Sequence, residues 1–471
     1  MAGDDHGSVG YRGARMTLEK QGAGGEGPSP SRDLRRYAAL FASRTRVMTS
    51  SVMRDLMAIT EHPEVISLAG GLPDTASFPG EEMARVMGQV ARENSARALQ
   101  YGPTDGLAST REAIAQVMAW QGASVEPGDV LVTTGGQQAI DLVCKALIDP
   151  GDVIVAEGPT YPGAVPTFTA YQADVVQVGM DDDGMKVDEL AETLERLERE
   201  GRRPKFIYTV PTFQNPAGVT MSLERRRRLV EIANERELIV LEDEPYSLLR
   251  YEGTALPTLL ELDGGRFVVH AGTFSKMLAP GLRLGWAIAP RPVMEKLVLG
   301  AQSTTLCPSP FTQLFVSGYM ASGQWPAYIE ELRGIYRTRR DAMLAALEAH
   351  FPPSATWTRP QGGLFVWATL PEFIDTTDLL ALALSANVAF VPGRAAFVNG
   401  DGASSMRLNF SASEPETIDE GVRRIGALVA EQVDLFGAIT GSFPAVAGEE
   451  PGEMAEVVEL PRRDQEQRRQ G

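Results

Sequence analysis

The stretch DVLVTTGGQQAIDLVCKALI, from Asp129 to Ile148, joins a short apolar run to a longer segment through two consecutive glycines. The run DVLV is brief and rich in valine, which is typical of a strand buried on both faces of a sheet. In the segment after the glycines, apolar residues recur at the three- and four-residue spacing of a helix. The stretch therefore predicts a buried strand, a tight turn and a helix that packs back onto the sheet.

Similar units recur as far as about residue 290. Their apolar runs are DVIV (152–155), ADVVQVG (173–179), FIYTV (206–210), LIVL (238–241) and RFVV (266–269). Short apolar runs that alternate with amphipathic helices predict a mostly parallel sheet covered by helices on both faces. The predicted fold class is therefore α/β, with a large domain built on this sheet and a smaller α+β domain after it.

The composition and the shorter patterns divide the chain further. A long helical stretch begins near Phe311, and short strands such as GGLFVWATL and SMRLNFS follow it. Both ends are rich in glycine, proline and charge, which predicts disorder. We predict a disordered tail at 1–33, an N-terminal arm and helix at 34–69 packing with the small domain, the large domain at 70–320, the small domain at 321–438 and a disordered tail at 439–471.

The composition also argues against several classes of function. The chain has 471 residues and a net charge of −18, which repels phosphate backbones, so we expect no nucleic acid partner. Its two cysteines and four histidines show no metal-ligand spacing, so we expect no metal. No apolar run reaches the roughly 18 residues of a membrane span, and the first thirty residues lack a signal-peptide core. We expect no membrane partner and a cytoplasmic location.

Polar and glycine-rich segments follow the apolar runs, at the edge where sheets of this type bind ligands. Gly135 and Gly136 follow the first run and leave a helix N-terminus open to an anion. Arg283 could add a fixed bidentate charge, and the hydroxyls of Thr273 and Ser275 could complete a phosphate site. Glycine turns are also common as plain structural connections, so this segment alone leaves both interpretations open.

Four further side chains suit an aromatic ring that carries a charged nitrogen and an oxygen. Asp243 follows LIVL, where a carboxylate is costly to bury without a cationic partner such as a protonated ring nitrogen. Asn215 and Tyr246 could hydrogen-bond a phenolate oxygen, and Tyr161 could lie flat on the ring. Taken one at a time, these residues fit turn, cap or core positions at least as well.

Lys276 gives this set its chemical meaning. An amine near a cationic ring nitrogen and Arg283 has a lowered pKa and can bond covalently to an aldehyde. An acid for a pyridine nitrogen, a lysine for an aldehyde, two donors for a phenolate, a ring for stacking and a cradle for phosphate together describe pyridoxal 5′-phosphate. We therefore predict this cofactor.

The motifs NPAG (215–218), EDEPY (242–246) and TFSKMLAPGLRLGW (273–286) occur in this order. With them, residues 40 to about 435 resemble the fold-type I, class I/II aminotransferases, most of all the branch of 2-aminoadipate and kynurenine aminotransferases. The resemblance implies the fold of pyridoxal-phosphate transferases. It also implies ping-pong transfer of an amino group from an L-amino acid of the 2-aminoadipate, aromatic or branched-chain type to a 2-oxo acid, with 2-oxoglutarate as the expected acceptor.

The resemblance further implies roles for individual residues. The catalytic set would be Lys276, which bonds to the aldehyde and carries the proton, Asp243, which holds the ring-nitrogen proton, and Tyr246. The expected cofactor-binding residues are Tyr101, Gly136, Gln137, Tyr161, Asn215, Asp243, Tyr246, Thr273, Ser275, Lys276 and Arg283. The expected substrate-binding residues are Arg54, Gly70, Gly71 and Arg407.

Three of these positions carry further implications. Tyr101 would reach the phosphate of the neighbouring subunit, which implies a homodimer with shared active sites. Arg407 would clamp the substrate α-carboxylate; the alternative is a surface arginine on a strand edge. Where many relatives have a serine, this chain has Gly136, so only its backbone N–H is left for the phosphate.

Two other functions stay open. A lyase of the same fold would use the same cofactor for elimination, and it would release pyruvate and ammonia. A cofactor-binding transcription regulator would need a DNA-binding module ahead of the aminotransferase-like part, and the N-terminal tail is too short and too polar for one.

Overall fold

The computed structural model describes Tyr37, residues 40–48 and residues 62–441. Two compact units divide the chain, residues 1–46 and residues 47–471. The described part of the first unit contains a short 3-10 helix at Ser43–Arg46. The predicted N-terminal tail, Arg54 and the predicted C-terminal tail beyond residue 441 lie outside the described residues.

The second unit alternates strands and helices over most of its length. Its strands are β1 (Ile66–Ser67), β2 (Val130–Thr133), β3 (Val153–Gly158), β4 (Asp174–Asp181), β5 (Gly184–Met185), β6 (Phe206–Thr209), β7 (Ile239–Asp243), β8 (Val268–Thr273), β9 (Gly285–Ile288), β10 (Thr356–Trp357), β11 (Phe365–Thr369), β12 (Val388–Ala389), β13 (Val391–Pro392) and β14 (Ser405–Asn409). Its described helices are α1 (Gly80–Glu93), α2 (Ser95–Ala98), α3 (Ala108–Trp120), α4 (Gly136–Leu147), α5 (Val165–Ala170), α6 (Val187–Arg199), α7 (Leu223–Arg236), α8 (Leu259–Asp263), α9 (Arg291–Thr305), α10 (Pro310–Ala321), α11 (Trp325–His350), α12 (Thr376–Ser385) and α13 (Pro415–Thr440). Within the described parts of the chain, no helix combines the length and the apolar character that crossing a membrane requires.

The large sheet has eight strands in the order β2-β9-β8-β7-β6-β3-β4-β5. From β8 to β4 each strand runs parallel to its neighbour. Strand β9 runs antiparallel to both β2 and β8, and β5 forms an antiparallel pair with β4. Helices α3, α4, α6 and α8 pack against strands of this sheet. The predicted α/β class with a mostly parallel sheet is therefore confirmed.

Strand β9 is a difference from the sequence-based expectation, which assigned no strand between RFVV and the long helical stretch that begins near Phe311. Its first residue is Gly285, and a Cβ atom there would lie 2.7 Å from the backbone nitrogen of Gly136 and from the carbonyl oxygen of Gly272. A Cβ atom on Gly272 would in turn overlap the ring of Trp286. The two glycines therefore let β9 lie close to β8 and to the start of α4, which a search for apolar runs does not detect.

The C-terminal part contains a second, four-stranded sheet in the order β10-β11-β14-β13, antiparallel throughout. Helices α11 and α13, in the same part of the chain, pack against each other. Strand β1, within the predicted N-terminal arm, pairs in parallel with β12, so that Ile66 lies opposite Val388. The predicted boundary at residues 320 and 321 falls at the end of α10, and we keep that division into a large and a small domain as a proposal.

Candidate active site

A cavity of about 640 Å³ lies at the carboxyl edge of the large sheet. The segments that follow β2, β3, β6, β7 and β8 line it, which is the position expected for a ligand in a sheet of this kind. Its lining contains most of the residues predicted to hold the cofactor: Gly136, Gln137, Tyr161, Asn215, Asp243, Tyr246, Thr273, Ser275, Lys276 and Arg283.

The N-terminus of helix α4 forms one end of this cavity. Gly135, with a φ of 79°, is the N-cap residue of the helix. Because glycine has no side chain, the N-cap residue does not cap the first turn. A Cβ atom on Gly135 would lie 2.6 Å from Nη2 of Arg283, so the glycine lets the guanidinium approach the turn. The helix dipole and the guanidinium both place positive charge here, which suits an anion.

The segment after β8 brings two hydroxyl groups to the same end. Thr273 Oγ1 donates to Ser275 Oγ across 2.9 Å. The backbone N–H of Ser275 donates to Thr273 Oγ1 across 3.1 Å. This small turn holds both side chains at the cavity wall beside Arg283, as the predicted phosphate site requires.

Lys276 follows this turn and points its amine into the cavity wall. Its Nζ donates to the carbonyl oxygen of Gly71 across 2.5 Å, which places the predicted pair Gly70 and Gly71 beside the amine. Burial, and then the positive charges of Arg407 and Arg283, lower the pKa of Lys276 to about 8. The sequence had indicated a lowered pKa from nearby charge, and burial proves to be the larger cause.

Asp243 ends strand β7, and its side chain is nearly buried. Tyr208 Oη donates to Oδ2 of Asp243 across 2.8 Å. Burial raises the pKa of Asp243 to about 6, while the hydrogen bond from Tyr208 and the charge of His270 oppose that rise. The carboxyl group is therefore mostly ionised at pH 7, and it lines a cavity where a cationic group would stabilise it further.

Asn215 connects the predicted cofactor site to the predicted substrate site. Its Nδ2 donates to Tyr246 Oη across 3.3 Å, and its Oδ1 accepts a hydrogen bond from Nη1 of Arg407 across 2.9 Å. Nη2 of Arg407 donates to the carbonyl oxygen of Ala69 across 2.7 Å, and the guanidinium lies 4.3 Å from the ring centroid of Phe365.

Arg407 is 2% exposed, so the alternative of a surface arginine on a strand edge is wrong. Burial lowers its pKa to about 10, which still leaves the guanidinium cationic at pH 7. A buried cation on strand β14, in contact with the cavity residue Asn215, is a suitable partner for a small anion.

A second buried carboxylate ties two of the cavity loops together. Glu157, at the end of β3, accepts a hydrogen bond from Nε2 of Gln214 across 3.1 Å. The same nitrogen donates to the carbonyl oxygen of Pro159 across 2.8 Å. Because Gln214 precedes Asn215 and Pro159 lies two residues before Tyr161, this contact fixes both loops relative to each other. Burial raises the pKa of Glu157 to about 7.

Sequence reasoning missed both Tyr208 and Glu157. Tyr208 lies within the apolar run FIYTV, and Glu157 follows the run DVIV by two residues. At such positions a single tyrosine is easily taken for a core residue and a single glutamate for the polar end of a strand. The signal that could have found them is position: both stand at or near the carboxyl end of a buried parallel strand, as Asp243 does.

Three predicted residues are placed differently from the rest. The side-chain amide of Gln137 donates to the carbonyl oxygen of Gly163 and to the hydroxyl of Thr167, so its backbone N–H is the group left for an anion. Tyr101 is 79% exposed and does not line the cavity of its own chain. Arg54 lies outside the described residues, so its predicted role stays a prediction.

The family described as aminotransferase class I and II matches residues 63–425 of the chain. The chain belongs to this family. The predicted identity as an aminotransferase is thereby confirmed. Among curated relatives of this aminotransferase, aromatic-amino-acid aminotransferase 1 of Thermococcus litoralis is 43% identical over 406 residues, which cover 86% of this chain and 97% of the relative.

Two solved structures of aminotransferases resemble the chain closely. Pyrococcus horikoshii kynurenine aminotransferase, in complex with PMP, KYN and KYA, has a TM-score of 0.81 at 40% identity and covers 86% of this chain and 100% of its own. The α-aminoadipate aminotransferase of Thermus thermophilus, complexed with N-(5′-phosphopyridoxyl)-L-leucine, has a TM-score of 0.78 at 37% identity and covers 85% and 99%.

Family membership and these two complexes indicate pyridoxal 5′-phosphate as the cofactor of this aminotransferase, as the sequence predicted. The cavity fits that group. The open N-terminus of α4 beside Arg283 suits a phosphate dianion, and the buried acid Asp243 suits a protonated ring nitrogen. Lys276, with its lowered pKa, suits the aldehyde.

Proposed function

We propose that the protein transfers the amino group of an L-amino acid to 2-oxoglutarate in ping-pong order, with the residue roles given below. The observation that carries the proposal is a single cavity into which neighbouring strands deliver Asp243 and Lys276. The buried cation Arg407 donates a hydrogen bond to Asn215, which lines this cavity. An acid, a poised amine and an anion site at one cavity are the groups that amino transfer requires.

Bound pyridoxal phosphate supplies an aldehyde that condenses with amines and a ring that withdraws electrons. Lys276 Nζ moves a proton to and from the α-carbon of the substrate. Because burial lowers the pKa of this amine to about 8, a larger fraction of it is neutral, and so able to accept the proton, than in an ordinary lysine. Asp243 holds the proton of the ring nitrogen. Asn215 and Tyr246 hold the ring oxygen. The N-terminus of α4 and Arg283 hold the phosphate.

Arg407 is proposed to bind the substrate α-carboxylate. Arg407→Lys should raise the KM for the amino acid about 10- to 100-fold, because a lysine cannot reproduce two parallel contacts worth about 1.5–3 kcal/mol. We expect kcat at saturating substrate to change less. Steady-state kinetics with both substrates would measure the two constants.

Arg359→Lys is the matched control for this change, since Arg359 is an exposed arginine that pairs with Glu348 across 3.1 Å. It should leave both constants unchanged. An unchanged KM in Arg407→Lys would remove Arg407 from the substrate site.

The donor is proposed to be an aromatic or 2-aminoadipate-type amino acid. This follows from the names of the relatives, which are an aromatic-amino-acid, a kynurenine and an α-aminoadipate aminotransferase. The test is a panel of amino acids that includes branched-chain ones. Aromatic or 2-aminoadipate-type amino acids should convert the bound cofactor to its amine form, and 2-oxoglutarate should then restore the aldehyde form. A lyase would instead release pyruvate and ammonia without amino transfer to 2-oxoglutarate.

We also propose a homodimer in which Tyr101 reaches the phosphate of the partner's cofactor. The support is the exposure of two neighbouring apolar side chains in this protomer, Leu99 at 82% and Tyr101 at 79%. Exposed apolar side chains that lie close together are typical of contact surfaces. Sedimentation of the purified protein tests the proposal, and a monomer at all concentrations contradicts it. The cytoplasmic location stays a prediction from the sequence.

A further inference from the structure

Tyr208 is a buried tyrosine whose side-chain hydroxyl hydrogen-bonds to Asp243. It lies in β6, and the adjacent strand β7 ends with Asp243. Its side chain is fully buried, and its hydroxyl lies 2.8 Å from Oδ2 of the carboxyl group. The ring of Phe168 meets the Tyr208 ring edge-on at 5.3 Å and 71°. Packing therefore holds the ring of Tyr208 in one orientation, and this orientation sets the position of the hydroxyl.

The direction of this hydrogen bond is determined by the chemistry of the two groups. Burial, together with the charge of Asp243, holds the pKa of Tyr208 well above its usual value, so the phenol keeps its proton. The hydroxyl donates and the carboxylate accepts. Such a bond favours the charged form of the acid, whereas burial favours the neutral form. Tyr208 therefore acts on the charge of Asp243 as well as on its position.

The bond also sets which carboxylate oxygen is left for a ligand. With Oδ2 engaged by Tyr208, Oδ1 remains for a partner in the cavity that Asp243 lines. Tyr208 itself is not among the residues that line this cavity, so it can reach a ligand only through Asp243.

We propose that Tyr208 is a positioning residue of the cofactor site: its hydroxyl orients Asp243 and keeps it ionised, so that Asp243 can hold a proton on the ring nitrogen. The inference rests on the function proposed for Asp243. This positioning role differs from a purely structural role, in which the Tyr208 side chain would only fill space between β6 and α5.

Tyr208→Phe tests the inference because it keeps the ring and its contact with Phe168 and removes the hydroxyl alone. The purified apoprotein is titrated with pyridoxal phosphate labelled with ¹⁵N in the ring. We expect the dissociation constant to rise about tenfold, which corresponds to about 1.4 kcal/mol. The ¹⁵N resonance should move towards that of an unprotonated ring. Neither readout depends on turnover.

Tyr319→Phe is the matched control. Tyr319 is a buried tyrosine in α10 whose hydroxyl has no hydrogen-bond partner within the described residues. This variant should match the wild type in both the dissociation constant and the ¹⁵N shift. If Tyr208→Phe behaves as Tyr319→Phe does, Tyr208 only packs and the inference is overturned.

The double variant Asp243→Asn with Tyr208→Phe separates an action through Asp243 from an independent one. With asparagine at 243 the ring nitrogen is already unprotonated, so removal of the Tyr208 hydroxyl should cause no further ¹⁵N shift. An equal further shift would overturn the inference. If the wild type fails to bind the cofactor covalently, the proposed function itself fails, which is a different outcome from either of these.

Discussion

Lys276→Ala should lower turnover by at least about 10⁴-fold and should remove the visible absorption of the protein-bound cofactor. Of the described lysines, Lys276 alone lines the cavity, and its Nζ lies beside the backbone of Gly71. In the roles proposed for Lys276, loss of this amine would deprive the cofactor of its covalent anchor and the substrate α-carbon of its positioned base. Absorption spectra of the reconstituted protein and steady-state rates measure both losses.

Lys145→Ala provides the control. Lys145 is an exposed lysine whose Nζ donates to the Thr304 hydroxyl across 2.9 Å, away from the cavity. It should keep both the absorption band and the rate. A band that survives in Lys276→Ala would show that another lysine carries the cofactor, and our assignment of the anchor would be wrong.

The lowered pKa of Lys276 predicts how the rate of cofactor attachment depends on pH. Only the neutral amine attacks an aldehyde, and the pKa of Lys276 is lowered to about 8 by burial and by Arg407 and Arg283. The rate at which the apoprotein bonds to pyridoxal phosphate should therefore rise with pH and level off above about pH 8, as followed by absorbance. A rise that continues to about pH 10, as for an ordinary lysine, would contradict the lowered pKa.

The residues found from the sequence share one property. Asp243, Asn215, Tyr161 and the segment up to Lys276 all follow apolar runs, and parallel strands bring such positions to one edge of a sheet. The pattern of apolar runs along the sequence is therefore enough to predict that these site residues lie near one another. Which atom meets which atom depends on loop conformation, which no local pattern encodes.

The residues missed from the sequence depend on those loop conformations or on strand register. Tyr208 reaches Asp243 because β6 pairs with β7 in a register that sets Tyr208 opposite Leu241. Glu157 contributes to the site because it accepts a hydrogen bond from the side chain of Gln214, which lies in the loop after β6. Strand β9 depends on close backbone approach at Gly285, which is a property of the assembled structure. Register and close approach are set by tertiary packing, so a single sequence does not reveal them.

Asp243→Asn should lower turnover about 10³-fold, equivalent to about 4 kcal/mol of transition-state stabilisation, while the cofactor stays bound. The side-chain oxygen of asparagine can still accept the hydrogen bond that Tyr208 now gives to Oδ2. Its amide would then face the ring nitrogen as a donor, and a donor pairs only with an unprotonated nitrogen. The ring would keep its place and lose the positive charge that draws electrons from the reacting bond.

The comparison with Asp243→Glu distinguishes this loss of charge from a loss of shape. Glutamate keeps the negative charge in the same nearly buried position but is longer by one methylene, so it should displace the ring while still holding its proton. We expect Asp243→Glu to weaken cofactor binding more than Asp243→Asn does, and to retain more turnover once saturated with cofactor. Rates measured at saturating pyridoxal phosphate test this order. Equal turnover of Asp243→Asn and the wild type would show that the ring needs no charge from this residue, and the electron-withdrawing role proposed for the site would fail with it.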